Sequence, residues 1–354
     1  MADPADPGWR GEVAFLRRVL IVLAVVALAL FVWSVRGALL LVFAAVLVAV
    51  LLRAVADGLQ RWLHVPPRWS VMAACLAIFL PLGAVFALVG AEVRAQAQTL
   101  LENLPAAAHT LESRLGIRIP LPGMAEDEQA ADASTMGQVA QHAASAALVA
   151  ADALGALVIA VVGGIFIAGD PGTYRRGLTR LLPRSQQARV EDALVSSGKA
   201  LRLWLKAQLV AMTLVGVLTG LGAWAIGLPA PLALGLFAGL ADIVPLVGPF
   251  IGAAPGLLLA LNLGWETLLW AGALYLLVQQ LEGNLLMPML GERMVNIPPA
   301  LLLFSVVAAG AVLGVGGVLL AAPLTVVAVV LVGKLYVRET LGRPVEVPGE
   351  KEAD

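Results

Sequence analysis

Apolar residues in this chain fall into long charge-free runs at 19–35, 37–52, 69–91, 153–169, 207–241, 243–265, 267–281 and 294–333. Most of these runs reach the roughly 17–25 residues that a helix needs to cross hydrocarbon. The pattern predicts an all-α, polytopic membrane protein of about eight transmembrane helices. The first run follows Arg17 and Arg18. It exceeds the usual core of a secretory signal and lacks a small-x-small cleavage site after Ser34, so it reads as an uncleaved helix. Only Arg36 and Gly37 separate it from the second run, which predicts a tight hairpin across the bilayer. The third run starts after Pro66-Pro67-Arg68.

Between the runs the polar segments differ in kind. From Val93 the apolar positions Ala97, Leu100, Leu104, Ala108, Leu111 and Leu115 keep helical spacing, predicting that the third helix leaves the membrane and bends near Pro105. Residues 116–134, with Gly116, Pro120, Pro122 and an acidic cluster, read as a loop. Residues 185–206 place Val190, Leu194, Leu201, Trp204 and Leu205 on one face and basic residues elsewhere. That predicts a basic amphipathic helix in the interface, or else a solvated linker helix. Residues 1–9 and 343–354 read as disordered. The resulting division is a three-helix membrane region (1–91), an extracytoplasmic extension (92–152), a fourth helix with the basic helix (153–206), a C-terminal core (207–337) and a tail (338–354).

Charge sets the expected orientation. Residues 170–206 carry Arg175, Arg176, Arg180, Arg184, Arg189, Lys199, Arg202 and Lys206 against only Asp170, Glu191 and Asp192, which places that side in the cytoplasm. Both termini are then cytoplasmic, consistent with Lys334, Arg338 and Arg343 after the last run. Composition agrees: 60% of residues are hydrophobic and 13% charged, against about 25% charged in soluble domains. A net charge of −1 gives no nucleic-acid footprint. One cysteine, Cys75, and three scattered histidines, His64, His109 and His142, offer neither an internal disulfide nor a metal constellation. No cofactor is implied.

Most of the information lies in the C-terminal half. Laid on each other without a gap, residues 231–255 and 299–323 share Pro231/Pro299, Leu234/Leu302, Ala241/Ala309, Val244/Val312, Val247/Val315, Gly248/Gly316 and a closing Ala-Ala-Pro ending at Pro255 and Pro323. Each copy has an apolar stretch too short to cross, a break at 243–249 or 313–317, and a second apolar stretch. Paired interruptions of this kind point to re-entrant or broken helices lining a transporter's binding site, since unpaired backbone at membrane depth needs a wet cavity or protein around it. Two proline-kinked helices packed through glycine pairs such as Gly216/Gly220 and Gly235/Gly239 are the plainer alternative.

Asp242, the sole charge between Lys206 and Glu266, stands one residue before the first break. A carboxylate at depth costs about 2.5–3.5 kcal/mol on insertion scales, so it faces a cavity or partner or is protonated, unless it lies at the interface. Its counterpart in the second copy is Gly310. A second polar group comprises Gln279, Glu282 and Asn284, with Gln279, Glu282 and Gly283 on one helical face. It could coordinate a cation, hold a polyol-like solute, or cap a helix and pair with Arg293. No nucleophile motif or phosphate-cradling loop followed by lysine is present, so neither an enzyme nor an ATP-driven pump is expected.

At these residues the sequence resembles the autoinducer-2 exporter family of bacterial membrane proteins. The resemblance rests on Gly227-Leu228-Pro229 followed by the Pro245-Leu-Val-Gly248-Pro249 break. It is strengthened by Gln279, Glu282 and Asn284 followed by Pro288, and by the stretch from Gly314 to Pro323-Leu324. It covers about residues 200–337. The resemblance implies an inner-membrane transporter assembled as a homo-oligomer, with a pentamer the expected state, acting on a small polar solute such as autoinducer-2 or as a Na⁺(Li⁺)/H⁺ antiporter. Leu246 stands where many members carry an aromatic. The residues expected along the path are Asp242, Pro245, Gly248, Pro249, Gln279, Glu282, Asn284, Gly316 and Pro323. A non-transporting membrane scaffold, recruiting partners through its acidic 92–152 segment, is the reading from another class.

Overall fold

The computed structural model describes residues 8–80, 83, 151–152, 154–245, 247–286, 298–345 and 347. The expectations for 92–150, including the bend near Pro105 and the acidic loop, lie outside them. Every regular element among the described residues is helical. Three helices are long and apolar enough to cross a bilayer, or four if one bent pair is a single span. The eight crossings read from the runs are not established by these.

The first departure from the sequence reading is α1 (Gly8–Leu63), one helix of 56 residues, about 84 Å long at 1.5 Å per residue. The hairpin expected at Arg36-Gly37 does not form. Neither residue stops a helix: arginine is a good helix former, an interior glycine costs only about 1 kcal/mol, and no proline or turn residue helps. Arg36 instead stacks on Trp33 one turn back, its guanidinium 4.1 Å from the ring centroid. Residues 15–34 are exposed throughout. The second half of α1 buries Ala45, Ala49, Leu52 and Ala56 at helical spacing, the last three against Ala74 of α2 (Pro67–Leu80) and Ala168 of α3 (Leu154–Gly169), and Ala45 beside Gly163 of α3.

The end of α3 is held by Arg53, whose guanidinium donates to the carbonyls of Ala168 and Gly169, the latter at 3.0 Å. These carbonyls are left without intrahelical partners where a helix ends. The chain then turns by 91° into α4 (Pro171–Arg180). Asp170 caps α4, accepting from the Thr173 amide at 3.1 Å.

A second departure is α5 (Arg184–Ile226), a single helix of 43 residues. Residues 185–206, expected to lie in the interface, are its first half. Their apolar face is covered by protein: Ala200 and Leu201 are buried with Val326, Val330 and Val347, and Trp204 packs on the same cluster. Arg202 pairs with Asp57 of α1 at 2.7 Å. At its far end α5 stops at Gly227, whose φ of 79° suits a left-handed cap, and Leu228 N–H bonds to the Ala223 carbonyl at 2.9 Å. The chain returns as α6 (Pro231–Ala241). A methyl at Gly235 would lie 2.8 Å from the Gly220 Cα, and one at Gly239 3.1 Å from the Gly216 Cα. The glycine pairs therefore serve close backbone approach between α5 and α6.

Both halves of the repeat reverse. α7 (Gly248–Leu263) folds back on α6, since a methyl at Gly252 would sit 2.9 Å from the Cα of Ala238, fourteen residues earlier. α8 (Trp265–Leu281) follows and ends in a π-helical turn, Glu282–Leu286. In α9 (Pro299–Leu331), Gly314 has φ 69° and ψ −153°. Its flanks double back, because a methyl at Gly310 would meet Val318 at 2.9 Å, whereas residues eight apart in a continuous helix are separated by about 12 Å. α9 runs into a π-helical segment, Val332–Arg338, where buried Lys334 pairs with Asp192.

The first residues of the tail depart from the disorder expected there. Residues 342–345 and 347 are ordered: the Arg338 guanidinium donates to the Val345 carbonyl at 2.6 Å, and Val347 is 4% exposed in the cluster of Ala200, Leu201, Val326 and Val330. Val345 and Val347 supply the apolar contact that their polar and proline neighbours hide in the sequence.

Candidate functional site

The tip of the α6–α7 hairpin, the side of α5 and the end of α8 converge on one buried group. Asp242 is the C-cap of α6 and is 1% exposed. Gln208 of α5 donates from Nε2 to the Asp242 main-chain carbonyl at 2.8 Å. Glu282 opens the π-helical turn after α8, is 8% exposed, and interacts electrostatically with Asp242. A π-turn shifts the register of the side chains that follow it, a device frequent at functional sites. Among the described residues neither carboxylate has an ion-pair partner, and Asp242 Oδ2 is buried without a hydrogen-bond partner.

Part of the break differs from the expectation of unpaired backbone. The amides of Asp242, Ile243, Val244 and Gly248 bond to the carbonyls of Ala238, Leu240, Ala241 and Val244, at 3.1, 3.3, 3.2 and 2.7 Å. Those four donors are satisfied within the turn, and Gln208 takes the Asp242 carbonyl. Among the side chains of this turn, the Asp242 carboxylate keeps one oxygen, Oδ2, buried and unpaired. Gly248 is needed here for approach: a methyl would fall 2.8 Å from the Asp242 Cα.

Of the residues expected along the path, the structure brings Asp242 and Glu282 together, with Gly248 buried and Pro245 and Pro249 half-buried beside them. Gln279 and Asn284 are exposed, and Asn284 Nδ2 donates to Gln280 Oε1 at 2.8 Å, away from the pair. Arg293 lies outside the described residues. Gly316 packs toward Leu40 of α1, and Pro323 is buried within α9, whose contacts are chiefly with α1 and α5. The two hairpins thus share α5 and differ in their other neighbour, α8 for the first and α1 for the second. Gln208 was missed from the sequence, although it is the sole amide side chain in the run 207–241.

The α5–α6 seam also carries an open groove of about 590 Å³, bordered by Leu209, Met212, Leu221, Trp224, Leu232 and Leu236. Its lining includes no charged side chain, and Trp224 and Leu232 are 72% and 71% exposed. It suits hydrocarbon rather than a polar solute.

Comparison with known families adds the decisive observation: the family described as "AI-2E family transporter" matches residues 20–336. The chain belongs to the AI-2E transporter family. It is similar to "Putative transport protein YrrI" of Bacillus subtilis, 32% identical over 162 residues, 46% of each chain. It is also similar to "Putative transport protein YueF" of the same organism, 31% identical over 144 residues, covering 41% of this chain and 39% of that one. "Putative permease PerM" of Escherichia coli is 28% identical over 170 residues, 48% of each. The matched stretch spans less than half the length of these curated relatives. With its long apolar helices, this AI-2E family member is a multi-pass membrane protein.

Proposed function

We propose that this AI-2E family member is a secondary transporter or exporter of a small polar solute, whose path runs past Asp242 and Glu282 between α5, the α6–α7 hairpin and α8. The observation that carries this reading is the pair of buried carboxylates without an ion-pair partner among the described residues. Burying a charge costs several kcal/mol unless something neutralises it, and a purely structural site would use apolar side chains of similar volume. The α6–α7 hairpin is then re-entrant, and Pro245, Gly248 and Pro249 shape its tip. Exposed Gln279 and Asn284, and Gly316 and Pro323 of the second hairpin, stand further along the path. The basic flank around α4 and α5 faces the cytoplasm of a bacterial inner membrane with both termini on that side. The apolar, exposed first half of α1 is surface for lipid or for neighbouring copies in a homo-oligomer, a pentamer by family resemblance.

Autoinducer-2 is the first solute to test. Cation/proton antiport is the second reading, favoured by the mutual repulsion of two buried carboxylates, which a bound cation or a proton would relieve. The test is flux into vesicles holding the purified full chain, with autoinducer-2 in one arm and sodium-dependent dissipation of a pH gradient in the other. Asp242→Asn and Glu282→Gln should abolish whichever flux is present. If both variants transport like the parent, the path lies elsewhere, and if no flux is found the scaffold reading gains.

A further inference from the structure

α8 packs against both α5 and α7, and the side chains buried among the three helices can be counted off by helical turns. At one end Ala223 of α5, Ala260 of α7 and Ala271 of α8 are fully buried in one apolar cluster. Four residues along each helix toward the carboxylates, about 6 Å, stand Thr219, Gly256 and Tyr275. The next turn brings Val215 and Val278, which close with Ala238 into a second apolar cluster. Glu282 lies four residues beyond Val278. The Thr219–Tyr275 layer is therefore polar matter between two apolar layers, one of which separates it from the carboxylate pair.

Among the described residues, no group satisfies it. Thr219 is 0% exposed, and both its Oγ1 and the Tyr275 hydroxyl are buried without a hydrogen-bond partner. The phenol is aimed inward on purpose of space: a methyl on Gly256 would overlap the Tyr275 hydroxyl oxygen, so the bare α7 backbone is what admits it. An unpaired buried hydroxyl costs about 1–3 kcal/mol, whereas valine and phenylalanine would fill the same volumes without that loss. Each hydroxyl can both donate and accept, and the layer holds no charge, which suits a neutral ligand and not an ion.

We propose that Thr219 and Tyr275 form a second, neutral hydrogen-bonding station, which takes a small hydroxylic molecule: either water or a hydroxyl group of the transported solute. The station deepens the transporter reading, and only its solute arm rests on that reading. A solute leaving the carboxylates would cross the Val215–Ala238–Val278 layer and be received by the two hydroxyls.

The experiment uses the purified full chain in detergent and compares Thr219→Val, Tyr275→Phe and the double variant by thermal unfolding. If the hydroxyls share a bound molecule, each single change lowers Tm by about 2–4 °C and the double variant falls short of the sum, because one molecule is lost once. Unchanged or raised Tm in either single variant overturns the station, since removing an idle buried hydroxyl relieves a cost. A high-resolution density map of the parent, with and without erythritol, supplies the second readout. Density between the hydroxyls without erythritol identifies water, and density only with erythritol identifies a solute site. Hydroxyls bonded to main-chain carbonyls with nothing between them overturn the proposal. If the transporter reading alone fails, the Tm pattern survives without flux; if the station alone fails, Asp242-dependent flux survives while Tyr275→Phe is silent.

Discussion

Gln208 and Asp242, thirty-four residues apart, are joined by a 2.8 Å hydrogen bond from a side-chain amide to a main-chain carbonyl. The bond ties the middle of α5 to the tip of the α6–α7 hairpin at the point where the carboxylate pair is built. Both groups are buried, so removing the donor leaves a carbonyl with no water to replace it. Gln208→Leu, close in volume, is expected to cost about 1–3 kcal/mol in unfolding free energy. It should also reduce flux more than any remote change of equal stability cost. Equal flux at matched folded protein in vesicles would mean that the bond is scaffolding alone.

Glycine contacts at the hairpin make a sharper test, because the obstacle is backbone and cannot swing aside. At Gly235 an added methyl meets the Gly220 Cα at 2.8 Å, and at Gly248 the Asp242 Cα at the same distance. Gly235→Ala and Gly248→Ala should each destabilise by about 1–3 kcal/mol, the usual cost of overpacking. Gly272→Ala is the control: nothing lies within 4 Å of its methyl, and an interior helical glycine replaced by alanine gains up to about 1 kcal/mol. Thermal unfolding in detergent separates the three. Similar losses at all three positions would refute the close approach.

How far the sequence could be read depended on the range of the interaction. The breaks after Asp242 and around Gly314 were legible because glycine and proline act locally, and the repeat repeated the signal. Asp242 stood out because nothing else between Lys206 and Glu266 is charged. The continuity of α1 through Arg36 was not legible: a lone arginine is compatible with a turn or with a helix, and only what packs around it decides. The face of residues 190–205 was read correctly as apolar, but whether lipid or protein covers it is a tertiary fact. Thr219 and Tyr275 gave no local pattern, and Gln208 only its isolation as the one amide of an apolar run, since each matters through its surroundings on other helices.

The C-terminal strap offers a test of that tertiary kind. Val347 is buried against Ala200, Leu201, Val326 and Val330, joining α5 to α9 through a segment with no regular structure. Val347→Ser replaces buried methyls with an unpaired hydroxyl and should cost about 1–3 kcal/mol. Limited proteolysis should then release the tail earlier than in the parent. Release at the same rate in both would place the strap off this cluster.

Asp170 sets the 91° elbow between α3 and α4, and its carboxyl is held below the ordinary aspartate range. The causes are the hydrogen bond from the Thr173 hydroxyl first, then that from the Thr173 amide, with Arg176 nearby adding to them. A lowered folded-state value means that the unfolded chain takes up its proton first as pH falls. The cap's contribution is therefore complete above the ordinary aspartate value near 3.9 and fades as pH drops through the lower, folded value. Hydrogen exchange at the first turn of α4 should accordingly stay slow from neutral pH down to about 4 and quicken, after correction for intrinsic rates, only below it. Asp170→Asn keeps a side-chain acceptor and removes the charge, so it should flatten that acid response while preserving most of the protection at neutral pH. Asp170→Ala should lose protection at every pH. An alanine variant as protected as the parent would show that Pro171 and the packing of Thr179 fix the elbow without the cap.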